Sequence, residues 1–111
     1  MSDCIFDKIV AGQIPSSVVY QDETVLAFKD IHPKAPVHIL IIPKKHIVSI
    51  SDLAQEDLPL MGHMMEVTRI IAAQLGLKAY KLVINTGAEA GQEVMHLHMH
   101  LLSGTRFETP V

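Results

Sequence analysis

Three histidines alternate with apolar residues near the C-terminus, in the run His96-Leu97-His98-Met99-His100-Leu101-Leu102. Successive side chains of a β-strand point to opposite faces, so a strand here places the three imidazoles on one face and the apolar side chains on the other. Imidazole has an unperturbed pKa of about 6.5, so at neutral pH one ring can act as a nucleophile or ligand while its neighbour carries a proton. The pattern predicts a reactive face.

Zinc binding is the first alternative for these histidines, because Zn²⁺ is held by imidazole nitrogens at about 2.0 to 2.1 Å. At a rise of about 3.3 Å per residue, the Cα atoms of His96 and His100 are about 13 Å apart. That distance is too long for both to join His98 around one ion without strong bending. The row therefore favours acid-base or nucleophilic chemistry, and we predict neither a metal ion nor another cofactor.

A glycine-containing loop, residues 86–93, leads directly into the histidine run. Gly91 allows the backbone to approach a ligand with its N–H groups pointing inward, as in turns that hold phosphate. A phosphate there would lie beside His98 and His100, of which one can attack phosphorus and the other can neutralise the equatorial oxygens. Asn85 would add a neutral donor. Such a loop alone is more often an ordinary turn, but the neighbouring histidines favour the phosphate interpretation.

Composition limits the partners of this chain. Its 111 residues suit one domain, and 49% hydrophobic and 19% charged residues with a net charge of −3 argue for a globular protein without broad attraction to nucleic acid or anionic membranes. Its most apolar stretch, residues 39–42, is far short of a membrane span. The single cysteine, Cys4, cannot form an internal disulfide. We expect a cytoplasmic protein.

The elements that must position the histidines follow from the apolar pattern. Ser2 or Asp3 can cap a short helix that ends near Gly12, and residues 18–20 and 25–29 form a hairpin. Residues 37–42, rich in β-branched side chains, form a strand covered on both faces. Residues 80–85 and 95–102 form two further strands that pair antiparallel. With the main helix described next, this predicts an α+β fold of about five strands and two helices.

The main helix is predicted over residues 55–75. Its apolar stripe consists of Leu58, Met61, Met65, Thr68, Ile71, Ala72 and Leu75. Pro59 is tolerated only in the first turn, and Gly76 is the expected C-cap.

The histidine run resembles, at every position, the signature of the histidine triad (HIT) family, His-x-His-x-His-x-x with apolar residues at x. Further similarities cover nearly the whole chain and are closest to the Hint branch of that family. They are Cys4-Ile5-Phe6, Lys8-Ile9-Val10, Ile14-Pro15, Phe28-Lys29-Asp30-Ile31, Pro33, Ala35-Pro36, His38, Ile42-Pro43-Lys44-Lys45-His46, Asn85 and Gly91-Gln92-Glu93-Val94. The chain therefore resembles a single HIT domain over residues 1–111.

The resemblance implies a homodimer of α+β subunits whose antiparallel sheets join into one. It also implies hydrolysis at the α-phosphorus of purine nucleotide conjugates, typically nucleoside 5′-phosphoramidates, through a covalent nucleotidyl-histidine intermediate. Two alternatives stay open: a non-catalytic module that senses nucleotides or binds a protein, and a HIT hydrolase acting on dinucleoside polyphosphates.

The same match assigns roles to residues. His98 is expected to be the nucleophile, His100 to contact the phosphate, and His96 to orient the site with His38 behind it. The residues expected to bind substrate are Asn85, Gly91 and Gln92 at the phosphate, Asp30 at the ribose hydroxyls, Ile5, Phe6, Ile9, Phe28 and Ile31 around the base, and Lys29, Glu93, Val94 and Met99 nearby.

Two positions depart from the family pattern. Glu93 stands where many Hint-like proteins have a serine, and a carboxyl can donate a proton to the leaving group only if its surroundings raise its pKa. Some HIT proteins carry Cys-x-x-Cys in the first helix as half of a structural zinc site, but Asp7 occupies the second position here. Cys4 is then left alone, and we expect no structural zinc. His32, His63 and the basic run 44–46 are expected to be solvated and to have no role.

Overall fold

The computed structural model describes residues 3–108 and contains a five-stranded antiparallel sheet with strand order β1-β2-β3-β5-β4. The strands are β1 (Val18–Gln21), β2 (Val25–Lys29), β3 (Val37–Pro43), β4 (Lys81–Val83) and β5 (Met99–Ser103). A short helix α1 (Ile5–Val10) precedes the sheet, and a long helix α2 (Leu58–Leu75) lies between β3 and β4. The predicted α+β architecture is confirmed. None of the helices within residues 3–108 has the length and apolar character that crossing a bilayer requires.

Strand β3 lies at the centre of the sheet and separates two apolar clusters. Its side chains alternate, so Ile39 and Ile41 pack with β5 and helix α2 on one face, while Leu40 and Ile42 pack with Phe6 of α1 on the other. Six of its seven residues are buried, as the prediction of a strand covered on both faces requires. His38 and His100 lie on the face of the sheet that α1 covers. His38 shares that face with Leu40 by strand alternation, and His100 shares it because it is paired with Leu40 across β3 and β5.

Helix α2 begins later than predicted. Residues Gln55–Asp57 form a 3₁₀ turn, and the α-helix starts at Leu58 with Pro59 in its first turn. Gly76 closes the helix in the left-handed region at φ 66°, as predicted.

The buried stripe of α2 consists of Met64, Val67, Thr68, Ile71 and Ala72. The expectation that Leu58, Met65 and Leu75 face the core is wrong, because all three are exposed. The residues of α2 that contact the core are Met64, Val67 and Ile71, at positions i, i+3 and i+7. The first of them is Met64, whereas the predicted stripe had its neighbour Met65 facing the core.

Helix α1 has Cys4 as its N-cap, and no side chain caps it. The expected cap at Asp3 is therefore wrong, and Ser2 lies outside the described residues. The helix is held instead by Phe6, which is buried and packs edge-on against Phe28 with ring centroids 5.5 Å apart.

The last two strands are shorter than predicted. Strand β4 covers only Lys81–Val83, and β5 begins at Met99, so His96 and His98 precede the strand. Continuing the register of β3 and β5 would place Leu97 opposite Pro43, which has no N–H to donate to a ladder. Leu97 donates its own N–H to the carbonyl of Ile47 instead, at 2.6 Å. The alternation of the run survives, since Met99 and Leu101 join the core under α2.

Candidate active site

A cavity of about 480 Å³ opens between helix α1 and the β2, β3 and β5 strands, and His38, His98 and His100 line it. The rings of His98 and His100 have centroids 4.9 Å apart, and those of His38 and His100 have centroids 5.2 Å apart. Phe6 packs edge-on against His98 at 5.1 Å. The fold therefore gathers three imidazoles at the mouth of one apolar pocket.

The hydrogen bond of His98 fixes which nitrogen faces the cavity. Its Nδ1 lies 2.7 Å from the carbonyl oxygen of His96, and a carbonyl only accepts. Nδ1 must therefore carry the proton of the neutral ring, and the lone pair is on Nε2. A nitrogen with a free lone pair at the cavity wall has the form that a nucleophile requires.

A chain of hydrogen bonds sets the opposite tautomer at His100. The backbone N–H of Lys34 donates to Nδ1 of His38 at 3.0 Å, so Nε2 of His38 carries that ring's proton. This N–H faces Nδ1 of His100 at 2.9 Å. His100 must then accept at Nδ1 and carry its own proton on Nε2. Of the two neighbouring rings, His98 presents a lone pair and His100 presents an N–H.

Both supporting rings are held neutral. Burial, followed by the neighbouring rings of His98 and His38, lowers the pKa of His100 to about 4. Burial also lowers the pKa of His38, although the nearby carboxylate of Asp30, at 3.4 Å from Nε2, acts in the other direction. At neutral pH the site thus contains donors and acceptors in fixed positions without a net charge on these two rings.

Comparison with known proteins identifies this arrangement. A family model described as "Scavenger mRNA decapping enzyme C-term binding" matches residues 3–109. The crystal structure of a HIT family hydrolase from Legionella pneumophila superimposes with a TM-score of 0.93 at 44% identity, covering 97% of this chain and 98% of that one. The chain belongs to the HIT family. The similarity to the Legionella enzyme over nearly the whole of both chains makes it a HIT family hydrolase.

Two sequence relatives are similar over most of their length. Purine nucleoside phosphoramidase of Escherichia coli is 48% identical over 104 residues, which is 92% of this chain and 87% of that protein. An uncharacterised HIT-like protein of Synechocystis is 49% identical over 109 residues, which is 97% of this chain and 96% of that protein.

Most of the predicted site residues of this HIT protein share the cavity. In addition to the three histidines, the lining includes Ile5, Phe6, Ile9, Phe28, Lys29, Asp30, Ile31, Asn85, Gly91, Glu93 and Val94. His96, Gln92 and Met99 are outside this lining. Met99 is fully buried in the core beneath α2 because it alternates with His98 and His100, so its assignment to substrate is wrong.

Gln92 holds the loop together and does not reach the cavity. Its side chain accepts from the N–H of Gly87 at 2.8 Å and donates to the carbonyls of Val48 at 2.6 Å and Val94 at 3.1 Å. The side chain is buried, and these bonds direct it into the loop and away from the cavity.

The backbone of this loop also differs from the expected phosphate cradle. The N–H groups of Gly91 and Gln92 are donated to the carbonyls of Ala88 and Gly87, within the loop itself. Gly91 has a left-handed backbone at φ 106°, which favours glycine, and it lines the cavity.

His96 is fully buried behind His98 and orients it. Its Nε2 donates to the carbonyl of Pro43 at 2.7 Å, and its own carbonyl receives the N–H of His98. Burial lowers the pKa of this ring. Its Nδ1 faces Asp7 at 3.1 Å and the Cys4 sulfur at 3.6 Å, so the expected partnership with His38 is not what the structure has.

Several lining residues were not predicted from the sequence. They are Ile14, Pro15, Ser16, His32, Lys34, Leu40, Val83 and Leu102. Lys34 contributes through its backbone N–H to His38, a role that no sequence pattern signals. Leu40 and Leu102 could have been found from the alternation of β3 and β5, since they share a face with the histidines.

Proposed function

We propose that this HIT hydrolase cleaves purine nucleoside 5′-phosphoramidates through a nucleotidyl intermediate on His98. The observation that carries the proposal is the pair of opposed tautomers: a lone pair on Nε2 of His98 beside an N–H on Nε2 of His100. A phosphoryl transfer needs one group that attacks phosphorus and another that stabilises the charge on its oxygens.

The reaction then takes two steps. In the first, Nε2 of His98 forms a bond to the α-phosphorus, the P–N bond to the leaving amine breaks, and the amine keeps the electron pair and takes a proton from water at the open edge of the cavity. In the second, water attacks phosphorus, the bond to His98 breaks, and a nucleoside monophosphate leaves. Splitting the displacement in this way lets one neutral ring act first as nucleophile and then as leaving group.

The other lining residues suit a nucleotide. Phe6 and Phe28 offer edge-packed rings for the purine base on the apolar side of the cavity. Asp30 keeps one carboxylate oxygen on the N–H of His32 at 2.8 Å and directs the other towards His38, so it is held at the edge where ribose hydroxyls would be accepted. Asn85 lines the same cavity, and we propose that its amide donates to the phosphate.

The choice of a phosphoramidate over other nucleotide conjugates is supported by the E. coli relative named as a purine nucleoside phosphoramidase. The direct test is incubation of the protein with adenosine 5′-phosphoramidate, followed by mass spectrometry for adenosine monophosphate and for a protein adduct of one nucleotidyl group. Turnover is expected for the native chain, and neither product nor adduct for His98→Ala.

Two further outcomes separate the alternatives. Cleavage of a dinucleoside polyphosphate in preference to the phosphoramidate would identify the other class of HIT hydrolase. Tight binding of adenosine monophosphate without any turnover would identify a nucleotide-sensing module. Either result contradicts the proposal.

We propose a homodimer in the cytoplasm. Strand β4 is an edge of the sheet, with Leu82 exposed on it and Tyr80 just before it, and an exposed edge of this kind needs covering. The exposed Leu58 and Met65 lie seven residues apart on one side of α2 and would extend the contact. Analytical ultracentrifugation should give twice the chain mass, and Leu82→Lys should shift the equilibrium towards the monomer.

A further inference from the structure

Glu93 lies between the catalytic cavity and a second cavity of about 480 Å³ at the N-terminal end of helix α1. The two cavities share three lining residues, Ile5, Glu93 and Val94. Glu93 is exposed, and its carboxylate makes no hydrogen bond or ion pair with any other residue in the range 3–108. This carboxylate is therefore available to a ligand that extends from one cavity into the other.

The second cavity has apolar walls and an acidic rim. In addition to the shared residues, its lining consists of Asp3, Cys4, His46, Val48 and Met95. Asp3 and Glu93 are exposed carboxylates, and no lysine or arginine of the described chain lines this cavity. The exposed side chains of Ile5, Val48 and Met95 supply apolar surface. Such a cavity complements a ligand with an apolar stem and a positive charge.

The far end of the catalytic cavity has the opposite charge. Lys29, His32 and Lys34 line it beside Asp30, where the ribose is proposed to bind, and both lysines are exposed. Asp30 is the only carboxylate of this lining besides Glu93, and it is engaged by the N–H of His32 at 2.8 Å. The catalytic cavity therefore runs from a basic end to an acidic end, where it meets the second cavity.

The proposed substrate fits this polarity in one direction. With the base and ribose at the basic end, the amine lies beyond the phosphate, towards the acidic end. The side-chain Cγ of Asn85, the proposed phosphate donor, lies 3.7 Å from the position that a Cβ on Gly91 would occupy. Glu93 follows Gly91 by two residues and is the first charged side chain after it. The amine is then left beside Glu93, at the entrance to the second cavity.

We propose that Glu93 selects the leaving group, so that the enzyme prefers nucleoside phosphoramidates whose amine bears a second, positively charged group on an apolar chain. The selection rests on the function proposed above. Glu93, with Asp3, attracts the cation, and the chain lies along Val48 and Met95. This attraction is the same in bound substrate and transition state, so it lowers KM and not kcat. The same carboxylates repel an anionic leaving group, which disfavours dinucleoside polyphosphates.

The experiment compares three adenosine 5′-phosphoramidates, in which the amine is diaminobutane, pentylamine or aminopentanoate. They share the same methylene chain and differ in its far end, which is an ammonium, a methyl or a carboxylate. KM for the ammonium substrate should be about 5- to 10-fold lower than for the methyl substrate, and KM for the carboxylate substrate should be the highest, with similar kcat. Raising the ionic strength to about 0.5 M should remove most of these differences.

Variants assign the preference to one side chain. Glu93→Gln should bring the KM values of the ammonium and methyl substrates to within about 2-fold of each other, and Glu93→Lys should reverse their order. Glu89→Gln is the matched control, because it removes the same charge from an exposed position of the same loop outside both linings. This control should keep the native ratio of KM values. Circular dichroism checks that each variant folds.

The outcomes separate this inference from the proposed function. Turnover of all three substrates with equal KM overturns the selection by Glu93 and leaves the phosphoramidase proposal intact. Absence of turnover with all three overturns both. A preference that persists in Glu93→Gln, or that Glu89→Gln reduces equally, also overturns the selection, because charge at Glu93 would then not be its cause.

Discussion

Two histidine environments in this molecule have opposite electrostatics. In the cavity, His38 accepts a backbone N–H and donates to His100, and burial lowers the pKa of both rings. On helix α2, the half-buried His63 lies between two carboxylates, with Asp22 at 2.6 Å from Nε2 and Glu66 at 3.1 Å from Nδ1. The hydrogen bond that His63 donates to the Asp22 carboxylate is the main cause that raises the pKa of His63.

The difference shows that hydrogen-bond partners decide what a histidine does. Carbonyl and N–H partners fix a tautomer, and a neutral ring of known tautomer can serve as nucleophile or donor. Carboxylates on both nitrogens call for protons on both, and a doubly protonated ring serves as a structural cation. His63 accordingly joins the turn before β2 to α2 through Asp22, whose side chain also accepts from Tyr20 at 2.7 Å.

The largest effect is expected from removing His98, the proposed nucleophile. His98→Ala should lower kcat/KM for adenosine 5′-phosphoramidate by at least about 10³-fold, because it removes the nitrogen proposed to attack phosphorus. Binding of adenosine monophosphate, measured by calorimetry, should change little. His63→Ala is the matched control and should retain activity. A His98→Ala enzyme with normal turnover would refute the assignment.

Loss of the donor ring should have a smaller effect. His100→Ala removes the N–H that faces the cavity and should lower kcat by about 10²-fold, since one positioned donor is lost while the nucleophile remains. His38→Phe should reproduce part of this loss, because it removes the N–H that holds Nδ1 of His100. Steady-state kinetics of both variants tests whether kcat falls more in His100→Ala than in His38→Phe. Activity unchanged in His100→Ala would contradict the role given to this ring.

Acid should destabilise the cavity side of the protein. The pKa of His100 is about 4 in the folded chain and about 6.5 when unfolded, so between these values the unfolded chain binds more protons. Stability from this ring is complete above pH 6.5 and is lost as the pH falls, by about 1 to 2 kcal/mol at pH 5. Urea unfolding should show that His100→Asn loses that much less stability than the native chain between pH 7 and pH 5.

The smallest effect, with the opposite sign, belongs to His63. A raised pKa makes its contribution complete below about pH 6.5 and lost as the pH rises through the folded-state value. His63→Ala should therefore cost about 0.5 to 1 kcal/mol at pH 6, discounted for solvent screening, and less at pH 9. Unfolding curves at the two pH values check this. Equal losses would mean that the ring acts through packing and not through charge.

Sequence patterns predicted the elements better than their ends. The β-branched run of β3, the hairpin of β1 and β2, and Gly76 after α2 all have strong local causes, and each appears in the structure. The buried stripe of α2 was displaced to Met64 and Val67, because the angle at which a helix meets a sheet is set by the partner surface. Strand β5 lost its first residues because Pro43 stands where a ladder donor is needed.

The sequence by itself determined which groups this protein has for chemistry: three imidazoles at alternate positions, with Asp30 and Asn85 elsewhere in the chain, because alternation is a local property of an extended chain. Only the tertiary structure decided what each ring does. The tautomer of His98 depends on the carbonyl of His96, that of His100 on Lys34 through His38, and the surroundings of His96 on Cys4, Asp7 and His46. A proton's position follows from partners far apart in the chain, and these meet only when it folds.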